Sequence, residues 1–453
     1  MTESQQKKLF QWLDSNVWDR ELLPARTRLR YLIKLHYSTS KYFRRTIDQV
    51  LGGFPEYMNY MNDFRRLRLI GKGIQAEVER AKGFKQKLIN LQHYYRFEYL
   101  RVGLDALAGA PLLSITVQFN EFSDTYLRLV FDACKQKLDE RQGSTLETRD
   151  LLGVFIAGGQ GQMQAFDDDY DLIILLNSED PAIRSYCVAI IRLMHREIVR
   201  CGILPHYRLA EFTGAYICSF NELKVLLSEE TEERFIDKSQ LLGARMIVGS
   251  NILQRVFEEE ILRPFIHQRN SLYTRQMLRE IAKRREHPLS RADSINIKEG
   301  AGGLRDIEML LFICRALFGI KEYSNYKLLI RMQSVVPEHA ALFRELHQAY
   351  DFLRHLRTLG RLTVAAEDDL NVEYIENLTL NIRSSRPLRA YEFLESMRNA
   401  APLAADEADV QNPSVDSMIA EESADLFHNT RKTMQSVVSA IDKIIDRVIR
   451  VRL

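Results

Sequence analysis

The segment 157-AGGQGQMQAFDDDYDLIILL-176 carries the residues best suited to chemistry. A glycine-rich turn separates two short apolar runs, and its glycines are Gly158, Gly159 and Gly161. The second run begins at Asp169 and Asp171, and alternate residues of a strand project to the same face. Paired carboxylates suit Mg²⁺ or Mn²⁺, while backbone N–H groups of a glycine turn can hold phosphate. The pattern predicts metal-dependent phosphoryl or nucleotidyl transfer, with Asp169 and Asp171 as metal ligands and catalytic residues.

Each half of this pattern also has an ordinary structural interpretation. A G-G-x-G turn and a D-x-D pair both occur often by chance, and DDDYD alone is typical of a solvated acidic turn. The functional interpretation depends on their combined order, which is strand, glycine turn, D-x-D and apolar strand.

This order resembles the core of the DNA polymerase β-type nucleotidyltransferases. A second segment, 297-IKEGAGGLRDIEMLLF-312, resembles the K-x-G-x-G-G-[IL]-R-D-I-E-F signature of the bacterial glutamine synthetase adenylyltransferase family and its uridylyltransferase relatives. Three other stretches resemble that family in the expected order: 96-RFEYLRVGLDALAG-109, 241-LLGARMIVGSNILQRVF-257 and 349-AYDFLRHLRTLGRL-362. The chain has the length of one of that family's two homologous halves.

The resemblance implies a specific reaction. A family member of this kind moves AMP to or from a tyrosine hydroxyl of glutamine synthetase, using Mg-ATP or phosphate. It also implies nucleotide contacts by the glycine turn, and by Lys298 and Arg305 of the second segment. The alternative is that KEGAGGLRD is a packing loop, in which Arg305 pairs with an acid and Asp306 caps the following helix.

Two positions depart from the family pattern. Gln162, Met163 and Gln164 stand where relatives carry an R-E-L type segment, which removes a cation that could face phosphate. In 206-HYRLAEF-212, His206 stands where relatives carry a third metal-binding Asp. Glu211 is a candidate substitute for that acid and His206 a candidate base, since imidazole titrates near neutral pH. Each could equally be a structural or surface residue.

The elements around these residues predict a mostly helical protein with an inserted α+β nucleotidyltransferase core and a C-terminal helical bundle. Helical spacing of apolar residues covers residues 1–140, and the core covers 141–235. Helix is predicted again over 236–453, interrupted by a Gly-rich loop at 296–304 and by an acidic stretch at 400–425 that is predicted to be a solvated linker or a mobile loop. Within the core, we expect a helix from Pro181 to Cys201 and short strands near 206–212 and 215–219.

Composition limits the functional classes. The 453 residues carry 63 Lys and Arg against 61 Asp and Glu, a net charge of +2 that argues against a general nucleic-acid binder. Five scattered cysteines and no apolar span of membrane length predict a cytoplasmic protein without a membrane partner. Two functions remain open: an active transferase with a nucleotide and a protein substrate, or a catalytically degenerate relative that senses nucleotide or binds protein.

Overall fold

The computed structural model describes most of the chain: residues 41–54, 57, 64–107, 110–143, 145–166, 169–209, 216–229, 232–286, 294–363, 368–371, 375, 378–379 and 413–453. Glu211 lies outside these residues, as do Asp167 and Asp168 and the first part of the predicted acidic linker.

Four helices form the described N-terminal region: α1 (Lys41–Gly53), α2 (Phe64–Arg80), α3 (Phe84–Leu107) and α4 (Leu112–Gln142). The aromatic side chains of α3 pack against α4, with the ring centroids of Tyr95 and Tyr126 4.8 Å apart. Helix α4 follows Pro111 and ends at Gly143, which adopts the left-handed conformation (φ +65°) that favours glycine. The helical prediction is therefore confirmed for the described part of residues 1–140.

A five-stranded mixed sheet follows, with its helices: β1 (Leu152–Ile156), α5 (Gly158–Gly161), β2 (Asp169–Leu176), α6 (Pro181–Arg200), β3 (Leu204–Tyr207), β4 (Cys218–Ser219), α7 (Phe220–Ser228), α8 (Glu232–Leu242) and β5 (Arg245–Val248). The strand order is β3-β2-β1-β5, and β4 also pairs with β2. Strands β1 and β2 are antiparallel, whereas β3 and β4 lie parallel to β2. The two central strands are almost entirely buried, as their continuous apolar runs predict.

Local signals fix the helix boundaries in this region. Asp180 accepts a hydrogen bond from the N–H of Ala182 and so caps α6, whose first residue is Pro181. Ser219 and Glu222 form a capping box at the start of α7. The prediction that the chain is helical again from about residue 235 is wrong at β5, because this short segment completes the sheet by pairing with β1.

The remaining elements are mainly helical: α9 (Asn251–Phe257), a π-helix (Glu258–His267), α10 (Asn270–Glu286), β6 (Ser294–Asn296), α11 (Leu304–Phe318), α12 (Asn325–Val335), a 3-10 turn (Pro337–His339), α13 (Ala340–Thr363), β7 (Asp369–Asn371), α14 (Pro413–Ile444), a second π-helix (Ile445–Ile449) and a 3-10 turn (Arg450–Arg452). Strands β6 and β7 form a separate two-stranded ribbon.

The predicted linker is wrong over residues 413–425, because α14 begins at Pro413. Ser423 is buried there and donates a hydrogen bond to Thr379.

One continuous apolar core joins the N-terminal helices, one face of the sheet and the C-terminal helices. All five cysteines are free and buried. In the described part of the chain, no helix combines the length and apolar character needed to cross a bilayer.

Candidate active site

The glycine turn and the second carboxylate are built as one unit. Gly158 adopts a φ of +59°, and a Cβ at this position would lie 1.9 Å from Oδ2 of Asp171. Main-chain contact adds to this, since the N–H of Ala157 donates to the carbonyl of Asp171 at 2.7 Å. Only glycine allows both the left-handed backbone and the close approach of the carboxylate. The sequence pattern of glycine turn and D-x-D thus corresponds to a direct contact.

The two carboxylates differ in their environments. The side chain of Asp169 is 58% exposed at the start of β2, whereas that of Asp171 is 15% exposed. Burial raises the pKa of the Asp171 carboxyl, although the charges of Arg208 and His206 act in the opposite direction. Asp171 therefore needs a cation nearby to remain ionised at low cost, since desolvation disfavours its charged form.

Two basic residues of the neighbouring strand region, His206 and Arg208, lie at this site. Parallel pairing places His206 beside Asp171 in the register, and His206 Nε2 lies 3.6 Å from Oδ2 of Asp169. Arg208 Nη2 lies 2.7 Å from Oδ1 of Asp171. The structure thus brings His206 to the two carboxylates. Its role as a base remains a prediction, as does that of Glu211, which lies outside the described residues.

The donor set is compatible with a divalent cation. Mg²⁺ is commonly held by one or two carboxylates together with water and phosphate oxygens, so Asp169 and Asp171 suffice in kind and number. Within the described ranges, no cluster of three His, Cys, Asp or Glu side chains is arranged for a metal. Any third protein ligand would therefore have to come from elsewhere, and the exposed Arg208 side chain would have to leave Asp171 for the metal to reach it.

The segment after the glycine turn faces the protein interior. Gln162 and Gln164 are 3% and 2% exposed. Gln162 accepts a hydrogen bond from Asn325 at 2.7 Å, and Gln164 donates to Glu308 at 2.6 Å. Arg354 of α13 donates to the side chain of Gln164 and to the carbonyl of Ala165. These glutamines therefore attach the turn to the C-terminal helices.

Backbone strain is concentrated around the same site. Within the described residues, positive φ values outside glycine occur at Met163 (57°), Phe166 (57°) and Leu209 (70°). Such a conformation costs about 1–2 kcal/mol for a residue with a Cβ. The strain is balanced locally, since the carbonyl of Phe166 accepts a hydrogen bond from Arg361 and its ring packs against Phe119. Strain retained in this way is typical of functional segments.

The KEGAGGLRD segment contacts the rest of the protein through its glycines and charges. A Cβ on Gly302, whose φ is +75°, would lie 1.9 Å from the carbonyl oxygen of Met434, so this glycine allows α14 to pack closely. Arg305 pairs with Glu308 at 2.9 Å and with Glu299 at 3.1 Å. Lys298 Nζ lies 3.8 Å from Asp368. These contacts agree with the packing alternative, and nucleotide binding by Lys298 and Arg305 remains a prediction.

Asp306 has a different position from the expected helix cap. The residue preceding α11 is Gly303, and Asp306 instead accepts a hydrogen bond from the N–H of Gly302 at 2.8 Å. It is 1% exposed and lies near Arg285, with Arg285 Nε 3.4 Å from its Oδ2. Asp306 therefore stabilises the glycine loop by accepting the hydrogen bond of its main-chain N–H at Gly302.

Several residues that shape the site have weak sequence signals. Arg208 belongs to a short basic-apolar stretch of a kind that also occurs on ordinary surfaces. Arg354 and Arg361 both lie in 349-AYDFLRHLRTLGRL-362, and the resemblance of this stretch to a family motif is their signal in the sequence. The contacts of all three join residues distant along the chain or on neighbouring strands, which periodicity alone does not reveal.

A family model described as GlnD PII-uridylyltransferase matches residues 272–401. This range contains the KEGAGGLRD segment and the Arg354 helix, and it excludes strand β2, which carries Asp169 and Asp171. The match therefore rests on the helical part that holds the glycine turn in place.

Curated relatives are similar over longer stretches. A bifunctional glutamine synthetase adenylyltransferase/adenylyl-removing enzyme of Idiomarina loihiensis is 22% identical over 315 residues, covering 62% of this chain and 32% of the relative. The enzyme of the same description from Pseudomonas syringae is 27% identical over 161 residues, covering 32% and 15%. A bifunctional uridylyltransferase/uridylyl-removing enzyme of Aromatoleum aromaticum is 31% identical over 169 residues, covering 36% and 19%. The chain thus spans about a third or less of these relatives.

Proposed function

We propose that this chain, a distant relative of the glutamine synthetase adenylyltransferases and the PII uridylyltransferases within the polymerase β-type nucleotidyltransferase superfamily, transfers a nucleotidyl group at Asp169 and Asp171. The contact between the Asp171 carboxylate and the Gly158 turn carries this proposal. It joins the two halves of the sequence pattern in one place and supports an acidic, glycine-lined edge suited to a metal-bound phosphate.

In the proposed reaction, the substrate is Mg-ATP and the acceptor is a protein hydroxyl, with a tyrosine of glutamine synthetase as the first candidate. The hydroxyl oxygen attacks the α-phosphorus, the bond to pyrophosphate breaks, and AMP becomes attached to the acceptor. A bound Mg²⁺ would neutralise phosphate charge as it develops. Asp169 and Asp171 would hold that ion, the turn would position the phosphates, and His206 or Glu211 would accept the hydroxyl proton.

Arg208 supports a second candidate function. Its guanidinium already neutralises Asp171, and His206 stands beside Asp169, so both carboxylates have basic partners from the protein itself. A relative that lost the metal could keep this arrangement and act through nucleotide sensing or protein contacts. The two functions differ in whether nucleotide binding requires Mg²⁺.

Calorimetric titration tests the proposal. ATP and the other nucleoside triphosphates are titrated with and without Mg²⁺ into wild type, the Asp169→Asn/Asp171→Asn double variant and the control Asp150→Asn. Asp150 is an exposed acid in the turn before β1. We expect Mg²⁺-dependent binding that is lost in the double variant and kept in the control. Labelled ATP with glutamine synthetase then tests transfer.

Other outcomes would contradict this assignment. Binding that is equal with and without Mg²⁺ would support the sensing function instead. Absence of any nucleotide binding in wild type would leave a protein-binding role for a former transferase fold.

A further inference from the structure

A cavity lies apart from the glycine turn, between the first π-helix and the loop after α11. Its volume is about 300 Å³, within the range of small-molecule sites. Leu242, Leu262 and Ile320 give it an apolar wall. Charged side chains complete the lining: Glu258, Glu259, Arg263, His267, Arg315, Lys321 and Glu322.

Arg315 is the unusual member of this lining. It is 1% exposed, and its Nη1 atom has no hydrogen-bond partner. Nε and Nη2 donate only to neutral groups, namely the carbonyls of Glu322 and Tyr323 and the side chain of Asn325. Burial lowers the pKa of Arg315 to about 10, so the guanidinium remains charged at neutral pH. A buried cation without an anionic partner is costly, and this one lines a cavity.

The cavity mouth offers a second positive charge. Arg263 is exposed on the π-helix, and within the described residues its side chain makes no hydrogen bond or ion pair. Of the three acids of the lining, Glu258 is already paired with Lys321, Glu322 accepts the N–H of Ser324, and Glu259 is exposed to solvent. Pro264 lies within the π-helix, and such local widening of a helix is frequent at functional sites.

A chain of hydrogen bonds connects this cavity with the glycine turn. Arg315 donates to Asn325 Oδ1 at 2.8 Å, and Asn325 Nδ2 donates to Gln162 Oε1 at 2.7 Å. Gln162 Nε2 in turn donates to the carbonyl of Gly158 at 3.2 Å. Each amide is held by both neighbours, so a shift of Arg315 changes the donor available to Asn325 Oδ1 and, through Asn325, the position of Gln162.

We propose that this cavity binds a small organic carboxylate between Arg315 and Arg263, and that Asn325 and Gln162 transmit its binding to the glycine turn. The carboxylate would supply the anion that Arg315 lacks, and the apolar wall would accommodate the carbon skeleton, which inorganic phosphate does not have. The binding half of this proposal stands on the cavity alone. The effect on nucleotide rests on the proposed function.

Binding is tested by calorimetry without nucleotide. The three probes are succinate, L-aspartate and inorganic phosphate. L-aspartate has the carbon skeleton of succinate with an added amino group. We expect saturable binding of at least one carboxylate and roughly three- to fivefold weaker binding in Arg263→Gln. Arg255→Gln, an exposed arginine of α9 outside the cavity lining, is the matched control and should bind as wild type. Arg263 is used because replacement of the buried Arg315 could prevent folding.

Transmission is tested by hydrogen exchange of the amides of residues 157–166 with and without the carboxylate. We expect altered exchange in wild type and no alteration in Asn325→Leu, although that variant still binds the carboxylate. The Kd for Mg-ATP should change with the carboxylate in wild type alone.

The outcomes separate the two proposals. Binding of neither carboxylate, binding of phosphate alone, or equal binding by Arg263→Gln would overturn the cavity assignment. Carboxylate binding with unaltered exchange at residues 157–166 would overturn the transmission. Failure of Mg-ATP to bind at all would count against the proposed function and leave the calorimetry and exchange results valid.

Discussion

The absence of a side chain at Gly158 allows the Asp171 carboxylate to approach the glycine turn. In Gly158→Ala, the new Cβ meets Asp171 and the residue must keep a left-handed backbone. We expect loss of Mg-nucleotide binding together with a stability loss larger than that from backbone strain alone, which is about 1–2 kcal/mol. Calorimetry and thermal denaturation measure the two effects.

Gly143→Ala is the matched control for this change. Gly143 has nearly the same φ, +65°, and nothing lies within 4 Å of the position that its Cβ would occupy. Gly143→Ala should lose stability through backbone strain alone and should bind Mg-nucleotide as wild type does. Equal binding by Gly158→Ala and Gly143→Ala would show that the Asp171 contact is irrelevant to the site.

Arg208 competes with any metal for Asp171. Its side chain is 43% exposed, so water partly screens the ion pair that a metal at Asp171 would have to replace. In Arg208→Gln we expect Mn²⁺, followed by electron paramagnetic resonance, to bind more tightly. An exposed ion pair contributes about 0.5–1 kcal/mol, which corresponds to a roughly two- to fivefold lower Kd.

The control for this experiment is Arg192→Gln, an exposed arginine on α6. It removes the same charge from the molecule at another place and should leave the Kd unchanged. Weaker Mn²⁺ binding in Arg208→Gln would mean that the arginine helps to hold the metal-bound form and would reverse this interpretation.

The sequence predicted the candidate metal-binding and phosphate-binding residues better than the residues that contact them. Asp169, Asp171 and the glycines were recognisable because they are contiguous and of special types. The role of Gln162 and Gln164 was not, because their partners Asn325 and Glu308 lie 163 and 144 residues away. The contact of Arg208 depends on the strand register between β2 and β3, which the sequence alone does not specify.

Among the elements, α13 and the β6/β7 ribbon are joined through Asp368. Arg357 Nε lies 2.6 Å and Arg361 Nε 3.3 Å from its carboxylate. Burial alone would raise the pKa of Asp368, but the hydrogen bond and charge of Arg357, with Arg361 and Lys298, lower it. The carboxylate form therefore stabilises the fold, and its main-chain carbonyl also accepts the N–H of Ile297 before the KEGAGGLRD segment.

Asp368→Asn should destabilise the protein by about 1–3 kcal/mol at neutral pH, because charged hydrogen bonds are replaced by neutral ones. A lowered carboxyl pKa contributes stability above the ordinary value of about 3.9 and loses it as pH falls through the folded value. The difference from wild type should therefore be constant near neutrality and shrink below about pH 4. Urea denaturation at several pH values measures it.

Asp369→Asn provides the comparison, since Asp369 is adjacent to Asp368 in sequence and its carboxylate is exposed on β7. This variant should match wild type at every pH. A difference between Asp368→Asn and wild type that persists at the lowest pH would show that the effect is steric and not electrostatic.

Elements with strong local signals were predicted well, and elements defined by distant contacts were not. The apolar runs of β1 and β2 and the capped helix α6 are readable from a few adjacent residues. Strand β5 has four residues directly after a helix, and it becomes a strand by pairing with β1. The start of α14 has an acidic composition typical of linkers, yet its later turns pack into the core.

At the scale of the whole molecule, the mixed sheet and the C-terminal helices share one apolar core. The loop 162–166 receives hydrogen bonds from α13 through Arg354 and Arg361 and exchanges others with α11 and α12. On the other side, Ser123 of α4 lies 2.8 Å from the hydroxyl of Tyr170 on β2. Arg354 and Arg361, which hold this loop, both lie in the range 272–401 that the family model matches.

Arg354→Met tests whether this connection stabilises the core. Arg354 is 1% exposed, and methionine keeps much of its volume while removing the donors to Gln164 and Ala165. We expect a stability loss of about 2–4 kcal/mol and faster hydrogen exchange across residues 152–176, far from the substitution in sequence.

The control is Arg344→Met, which replaces an exposed arginine on the same helix and should leave both quantities as in wild type. Faster exchange confined to α13, with 152–176 unchanged, would mean that the core is held by its own sheet and by α4, and that the helices bind it without stabilising it.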